Sequence, residues 1–194
     1  MMKLKKLCLA ILVCLGSTAF AQEEEQEKTQ KTIELPKTES LMPFEHMVGM
    51  NMKWGVEAVG FSFSYLYNQN EQLSDWDFML GGEVTIMNVY DDDKKESQAG
   101  FFEIQAAMSK VLSSEQAYLL LKGGLALGNE QYEDEFEREK SNFLFGISAQ
   151  QNFIYLPKDG KGIVLQAGLY QYVMPTSKVY AFDLGLNFGL GYKF

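Results

Sequence analysis

The sequence predicts an all-β protein, an eight-stranded antiparallel up-and-down transmembrane β-barrel preceded by a disordered N-terminal tail. Three observations carry that prediction. Eight segments after Pro43 alternate apolar and polar residues with a period of two, the spacing at which successive side chains of a strand point to opposite faces. Their apolar faces begin and end in aromatic residues with aliphatic ones between, the order that two bilayer interfaces and a hydrocarbon layer impose. Their other faces mix glycine with long polar side chains, which suits a narrow barrel interior better than a water-facing sheet.

The chain opens with Lys3, Lys5 and Lys6, an apolar stretch from Leu7 to Leu15, and the small-x-small site Ala19-Phe20-Ala21. Residues 1–21 therefore read as a cleaved secretory signal peptide, too short in its apolar core for the ~20 residues of a spanning helix. Both cysteines, Cys8 and Cys14, fall within it, so the mature chain would hold no disulfide. A lipoprotein acylated at Cys14 fits poorly, because bulky Val13 precedes it. Losing three lysines takes the 17 basic residues to 14 against 26 acidic ones, a net charge of −12. That balance gives no electrostatic case for direct nucleic-acid binding. After residue 21 no run of 18 consecutive apolar residues occurs, which excludes a helical membrane protein and leaves a barrel open. Residues 22–44, beginning "QEEEQEKTQKTIELPKTESLM", are charged and Pro-interrupted with no apolar face to dock, and read as an acidic periplasmic tail ahead of a barrel over 45–194.

The strands follow in order. Met47 to Ala58 sets Val48, Met50, Met52, Trp54 and Val56 on one face, and Phe61 to Gln69 sets Phe61, Phe63, Tyr65 and Tyr67. Asp75 to Tyr90 contributes Trp76, Phe78, Leu80, Val84 and Ile86, and Gln98 to Lys110 contributes Phe102, Ile104, Ala106 and Met108. Gln116 to Gln131 offers Leu119, Leu121, Leu125 and Leu127, and Ser141 to Leu156 offers Phe143, Phe145, Ile147, Ala149, Phe153 and Tyr155. Gly162 to Val173 supplies Ile163, Leu165, Ala167, Leu169 and Val173. Lys178 to Phe194 supplies alternate residues from Tyr180 to Phe194. These faces are assigned to lipid. The connections alternate between short turns and longer, charged loops such as "DDDKKES" and "NEQYEDEFEREKS", so an even strand count puts both termini on the periplasmic side.

The inward face is expected to hold a lumen polar network of Lys53, Glu57, Glu83, Glu103, Lys122 and Asp183. Eight strands enclose little more than their own side chains, so a packed salt-bridge network is favoured over an ion or proton path. His46, the single histidine, lies at the start of strand one, and no Ser or Glu constellation of the kind a His base uses is evident around it. External acidic loops at Asp91, Asp92, Asp93 and at Glu133, Asp134, Glu135 lack EF-hand spacing and read as solvated. With no phosphate-cradling loop, Cys or His cluster, or nucleophile elbow, neither catalytic nor metal nor cofactor-binding residues are expected. The chain reads as a non-enzyme.

The closing "LGLNFGLGYKF" is similar to the C-terminal signature of outer-membrane barrels, with Phe188, Leu190, Tyr192 and Phe194 as its alternating residues. The architecture resembles the OmpX and OmpA barrel type. A narrower likeness, to the conjugative-transposon TraO family, rests on Gly82-Glu83 after Trp76, on "QAGFFEIQAAMSKVLSSEQAYLLLKGGLALGNEQYE" from Gln98 to Glu133, and on "FDLGLNFGLGYKF". Here only Gly49-Met50 echoes that family's opening Leu-Pro-Gly-Met run. These resemblances imply a protein of the Gram-negative outer membrane, placed there by barrel-insertion machinery and contacting outer-membrane lipid. They further imply a structural or docking part of a conjugative DNA-transfer apparatus, its tail meeting other envelope or conjugation proteins. The alternatives are a small-molecule or ion conduit gated by Lys53, Glu83 and Lys122, and a surface adhesion or defence barrel.

Overall fold

A computed structural model describes residues 44–73, 75–90, 96–112, 116–133, 138–156 and 162–194. The signal segment, the acidic tail up to residue 43, Asp91 to Asp93, Asp134 and Glu135 lie outside the described residues. Phe44, at the tail's end, is buried against the barrel.

Eight strands run in chain order: β1 (His46–Gly55), β2 (Ala58–Leu73), β3 (Trp76–Tyr90), β4 (Glu96–Val111), β5 (Ala117–Glu133), β6 (Glu139–Tyr155), β7 (Gly162–Val173) and β8 (Phe182–Lys193). Each pairs antiparallel with its sequence neighbours, and β1 pairs with β8 to close the barrel. Closure removes the open sheet edges that an alternating chain would otherwise expose. The β1–β8 ladder runs from Met47 opposite Lys193 to Gly55 opposite Gly185. It continues past the strand ends, because His46 N–H donates to the Phe194 carbonyl at 3.0 Å and Phe194 N–H to that of His46 at 2.9 Å. The end that carries His46 and Phe194 is called the lower end below, and the opposite one the upper end.

The largest departures from the expected spans fall in two strands, with smaller ones elsewhere, such as β1 ending at Gly55 instead of Ala58. β2 runs on to Leu73, beyond the expected end at Gln69, through a register irregularity between Asn68 and Gln72. Asn70 takes the left-handed conformation there (φ 55°), and its N–H donates to the Asn68 side chain at 3.1 Å. Asparagine tolerates that region better than most residues, so the strand bulges instead of ending. At the other end of the chain, residues 174–181 form a connection, and β8 starts only at Phe182. Tyr180, which alternation assigns to lipid, is fully buried. The reason is local hydrogen bonding: Ser177 Oγ accepts from the N–H groups of Val179 (3.2 Å) and Tyr180 (2.6 Å), which turns the chain inward.

Outward and inward positions alternate along every strand. The outer wall is apolar and open, with Trp54, Phe63, Ile104, Phe153 and Ile163 each more than 60% exposed. Phe188, Leu190, Tyr192 and Phe194 all belong to it. The predicted aromatic belts keep their positions except at Tyr180. Inside, the strands bring together a polar middle between two mainly apolar layers, the lower also holding buried Asp77 and Lys193 and the upper Asp183 and Glu130. The lower layer contains Phe44, Met47, Leu66, Met79, Leu120, Ile154 and Val164, and the upper one Met87, Phe101, Leu144, Tyr170, Tyr172, Met174 and Tyr180.

Glycine sits where the ladder is tightest. A Cβ on Gly185 would strike the Trp54 carbonyl oxygen across the closing seam, whereas one on Gly100 meets nothing within 4 Å. Gly185→Ala should therefore lower unfolding stability by about 2 kcal/mol, a typical overpacking cost, while Gly100→Ala leaves it unchanged. Urea titration of refolded protein, read by tryptophan fluorescence, measures both.

Candidate functional site, a polar lumen closed at both ends

The β3–β4 register places Glu83 directly opposite Glu103 on the inward face. Two like charges opposite one another in a sheet repel, and both carboxylates are buried, so cations must reach them. Lys53 on β1 and Lys122 on β5 do so from elsewhere around the barrel. Lys53 pairs with Glu83 and lies 3.9 Å from Glu103, and Lys122 Nζ lies 2.9 Å from Glu83 Oε2. The four charges sum to zero. Amides and hydroxyls add further donors: Gln105 Nε2 donates to Glu83 (3.1 Å) and Glu103 (3.0 Å), and Gln150 Nε2 to Glu83 (3.1 Å). Thr85 Oγ1 (3.3 Å) and the Tyr172 hydroxyl (2.9 Å) donate to Glu103. The Lys53 ammonium also donates to the Tyr172 hydroxyl and lies 4.8 Å from that ring's centroid, a cation–π distance.

An amide chain continues the network. Asn187 Nδ2 donates to Gln150 at 3.4 Å and Asn152 at 3.0 Å, while Gln166 donates to Asn51, which donates to Ser62 at 3.4 Å. Asp183 stands apart near the upper end. It accepts from the hydroxyls of Tyr170 (2.7 Å) and Tyr180 (3.1 Å) and from Glu57 N–H (3.1 Å). Burial first, then the adjacent Asp183 carboxylate, pushes the Tyr180 hydroxyl well above its ordinary range, so it stays a donor. Glu57 itself is a half-buried residue of the β1–β2 turn rather than a member of the lumen wall.

The structure thus brings together Lys53, Glu83, Glu103 and Lys122, and puts Asp183 in a separate tyrosine cluster. Above that cluster the 174–181 connection is tied down. Glu130, buried on β5, accepts from Ser177 Oγ, from Lys178 N–H (2.7 Å) and from Asn142 Nδ2 (2.9 Å). Asn142 donates also to the Thr176 carbonyl at 2.7 Å. Rings of Phe101, Tyr170, Tyr172 and Tyr180 pack under this strap, with Phe101 and Tyr172 edge to face at 4.9 Å. Glu133 ends β5 exposed, opposite Glu139.

His46 packs outside the lumen at the closing seam. Its Nδ1 lies 2.8 Å from the Tyr65 hydroxyl, and its ring stacks near Tyr67 (5.3 Å) and Phe194 (5.4 Å). Among the described residues no His, Cys, Asp and Glu group is arranged to hold a metal. Sequence reasoning missed both apolar layers, since it gave the inward face only polar residues and glycine. It also passed over Gln151 and Gln171, which stand on the outer wall. Their positions were legible from the period of two.

Closed antiparallel order, an even strand count and a filled interior decide the architecture. The fold is a closed eight-stranded antiparallel up-and-down β-barrel. The barrel is similar to neisserial surface protein A, with a TM-score of 0.54 and 16% identity over 79% of this chain and 98% of that one. It is similar to the N-terminal β-barrel domain of Pseudomonas aeruginosa OprF (0.54, 13% identity, 76% and 97% covered). A third likeness is to Ail, the attachment invasion locus protein of Yersinia pestis (0.50, 16% identity, 77% and 96% covered). No family model matches the chain, and no curated protein matches it. The TraO likeness therefore rests on the quoted stretches alone.

Because Glu83 answers two lysines, Glu83→Gln leaves both short of a counter-charge in a buried site. It should cost about 3–5 kcal/mol of stability, the usual penalty for breaking a buried pair from one side. Denaturant unfolding checks this, with surface Glu139→Gln within about 0.5 kcal/mol of the parent as the comparison.

Proposed function

We propose that this chain is a non-enzymatic barrel of the Gram-negative outer membrane, its wall in hydrocarbon and its interior shut, acting as a structural or docking element of the envelope. The observation that carries this reading is the continuous band of exposed apolar side chains around a closed cylinder whose central charges pair with one another. Monomeric soluble proteins rarely expose contiguous apolar patches beyond a few hundred Å², and a band encircling the molecule would drive association in water. In lipid the same band is the stable outcome, and closure meets the demand that no backbone edge be left unpaired.

The filled lumen supports an anchor over a conduit. An ion entering from the lower end meets Met47, Leu66 and Met79 beside the buried charges of Lys193 and Asp77, and one from the upper end meets the aromatic layer, before either reaches the middle, where the lysines and glutamates already neutralise one another. Dehydrating an ion at such a layer is costly. What remains available to partners is the rim and the segments beyond it. The acidic segment 22–44 is the proposed tether toward other envelope proteins, and insertion machinery is proposed to read the Phe188, Leu190, Tyr192 and Phe194 face.

The TraO resemblance supports a narrower form of the same reading, a docking part of a conjugative apparatus. A deletion strain with an intact envelope should then lose DNA transfer. Unaltered transfer would return the protein to a general envelope role.

Two measurements test the broader reading. Cell fractionation should place the full chain in the outer-membrane pellet, extractable only with detergent; recovery in the soluble periplasm would overturn it. Purified protein in planar bilayers should give no steady channel current, and Lys122→Ala should not change that. Steady currents altered by Lys122→Ala would make the chain a conduit.

A further inference from the structure

The outer wall carries an amide where hydrocarbon is expected. Gln151 is exposed on β6, flanked across the sheet by Leu121 of β5 and Leu169 of β7. Along its own strand the next outward residues are Ala149 and Ile147 toward the upper end and Phe153 and Tyr155 toward the lower, so it lies in the aliphatic waist. Among the described residues its side chain finds no hydrogen-bond partner, and lipid tails offer neither donor nor acceptor. Gln171, half-buried opposite Ala149, adds a second outward amide nearer the upper end of β7.

We propose that the β6–β7 face packs against a second copy of this chain, with the two Gln151 amides hydrogen-bonding to each other across a two-fold axis. The inference rests on the membrane reading above. Every inserted copy has its termini on the same side, so the two-fold axis relating two copies must run along the membrane normal. Such an axis keeps each residue at its own depth and brings Gln151 against Gln151. A primary amide both donates and accepts, so it is its own complement. A polar residue of this kind joins helices within membranes, and the same physics applies to a barrel wall. Toward the upper end the approach is open, because the small residues Ala149 and Gly123 stand beside the amide. Any other partner would need a donor or acceptor at the same depth, which a second copy supplies by construction.

Crosslinking in native envelopes tests this. Ala149→Cys, beside the amide, should form an oxidant-dependent dimer at least about tenfold more readily than Phe63→Cys on β2, on the opposite side of the barrel. Adding Gln151→Leu to Ala149→Cys should cut that yield about tenfold, while heat-dependent gel mobility reports a folded barrel. Equal crosslinking at 149 and 63, or a yield that Gln151→Leu leaves unchanged, overturns the dimer while the protein remains in the membrane fraction. Loss of the protein from that fraction would instead overturn the membrane reading.

Discussion

The antiparallel pairing of β1 with β8 is the contact on which the rest of this molecule depends. Without it, the first and last strands would each leave a row of unpaired N–H and C=O groups, and no cylinder would separate an inside from an outside. The seam runs the full length of β1 and is extended at the lower end by the reciprocal bonds between His46 and Phe194. Aromatic stacking of His46 with Tyr67 and Phe194 covers that junction. The last residue of the chain is thus part of the closure rather than a loose end.

Closure creates the electrostatic problem that the interior then solves. Register sets Glu83 beside Glu103, and burial makes both expensive unless cations and donors surround them. Lys53 and Lys122 come from strands on either side of the glutamate pair, so the ion cluster links β1, β3, β4 and β5 across the lumen. Gln150 and Asn187 extend the links to β6 and β8. A network spanning so many strands favours one register over its neighbours, since a slip by one residue would turn these charges outward. The apolar layers above and below keep water from competing for the same partners, which strengthens each bond inside.

Much of this was legible in the residues themselves. Alternation located every strand, since the period of two is a local property of extended chain and needs no partner to be seen. It located the inward charges Lys53, Glu83, Glu103 and Lys122 for the same reason. It erred at Tyr180, where a Ser177-centred turn redirects the chain, and at Asn70, where one left-handed residue lets β2 continue past a polar stretch. It also placed Glu57 in the lumen wall, although the β1 ladder ends two residues earlier, at Gly55.

Sequence by itself determined which side chains share a face, that one face is greasy and the other polar, and that the greasy one reaches Phe194. Only the tertiary structure decided which charges meet. Pairing between strands far apart in the chain sets distances that no local pattern encodes, as with Lys53 and Glu83 or Glu130 and Lys178. It also decided that the lumen is stoppered, because Met47, Met79, Phe101 and Tyr172 become neighbours only when the sheet closes on itself.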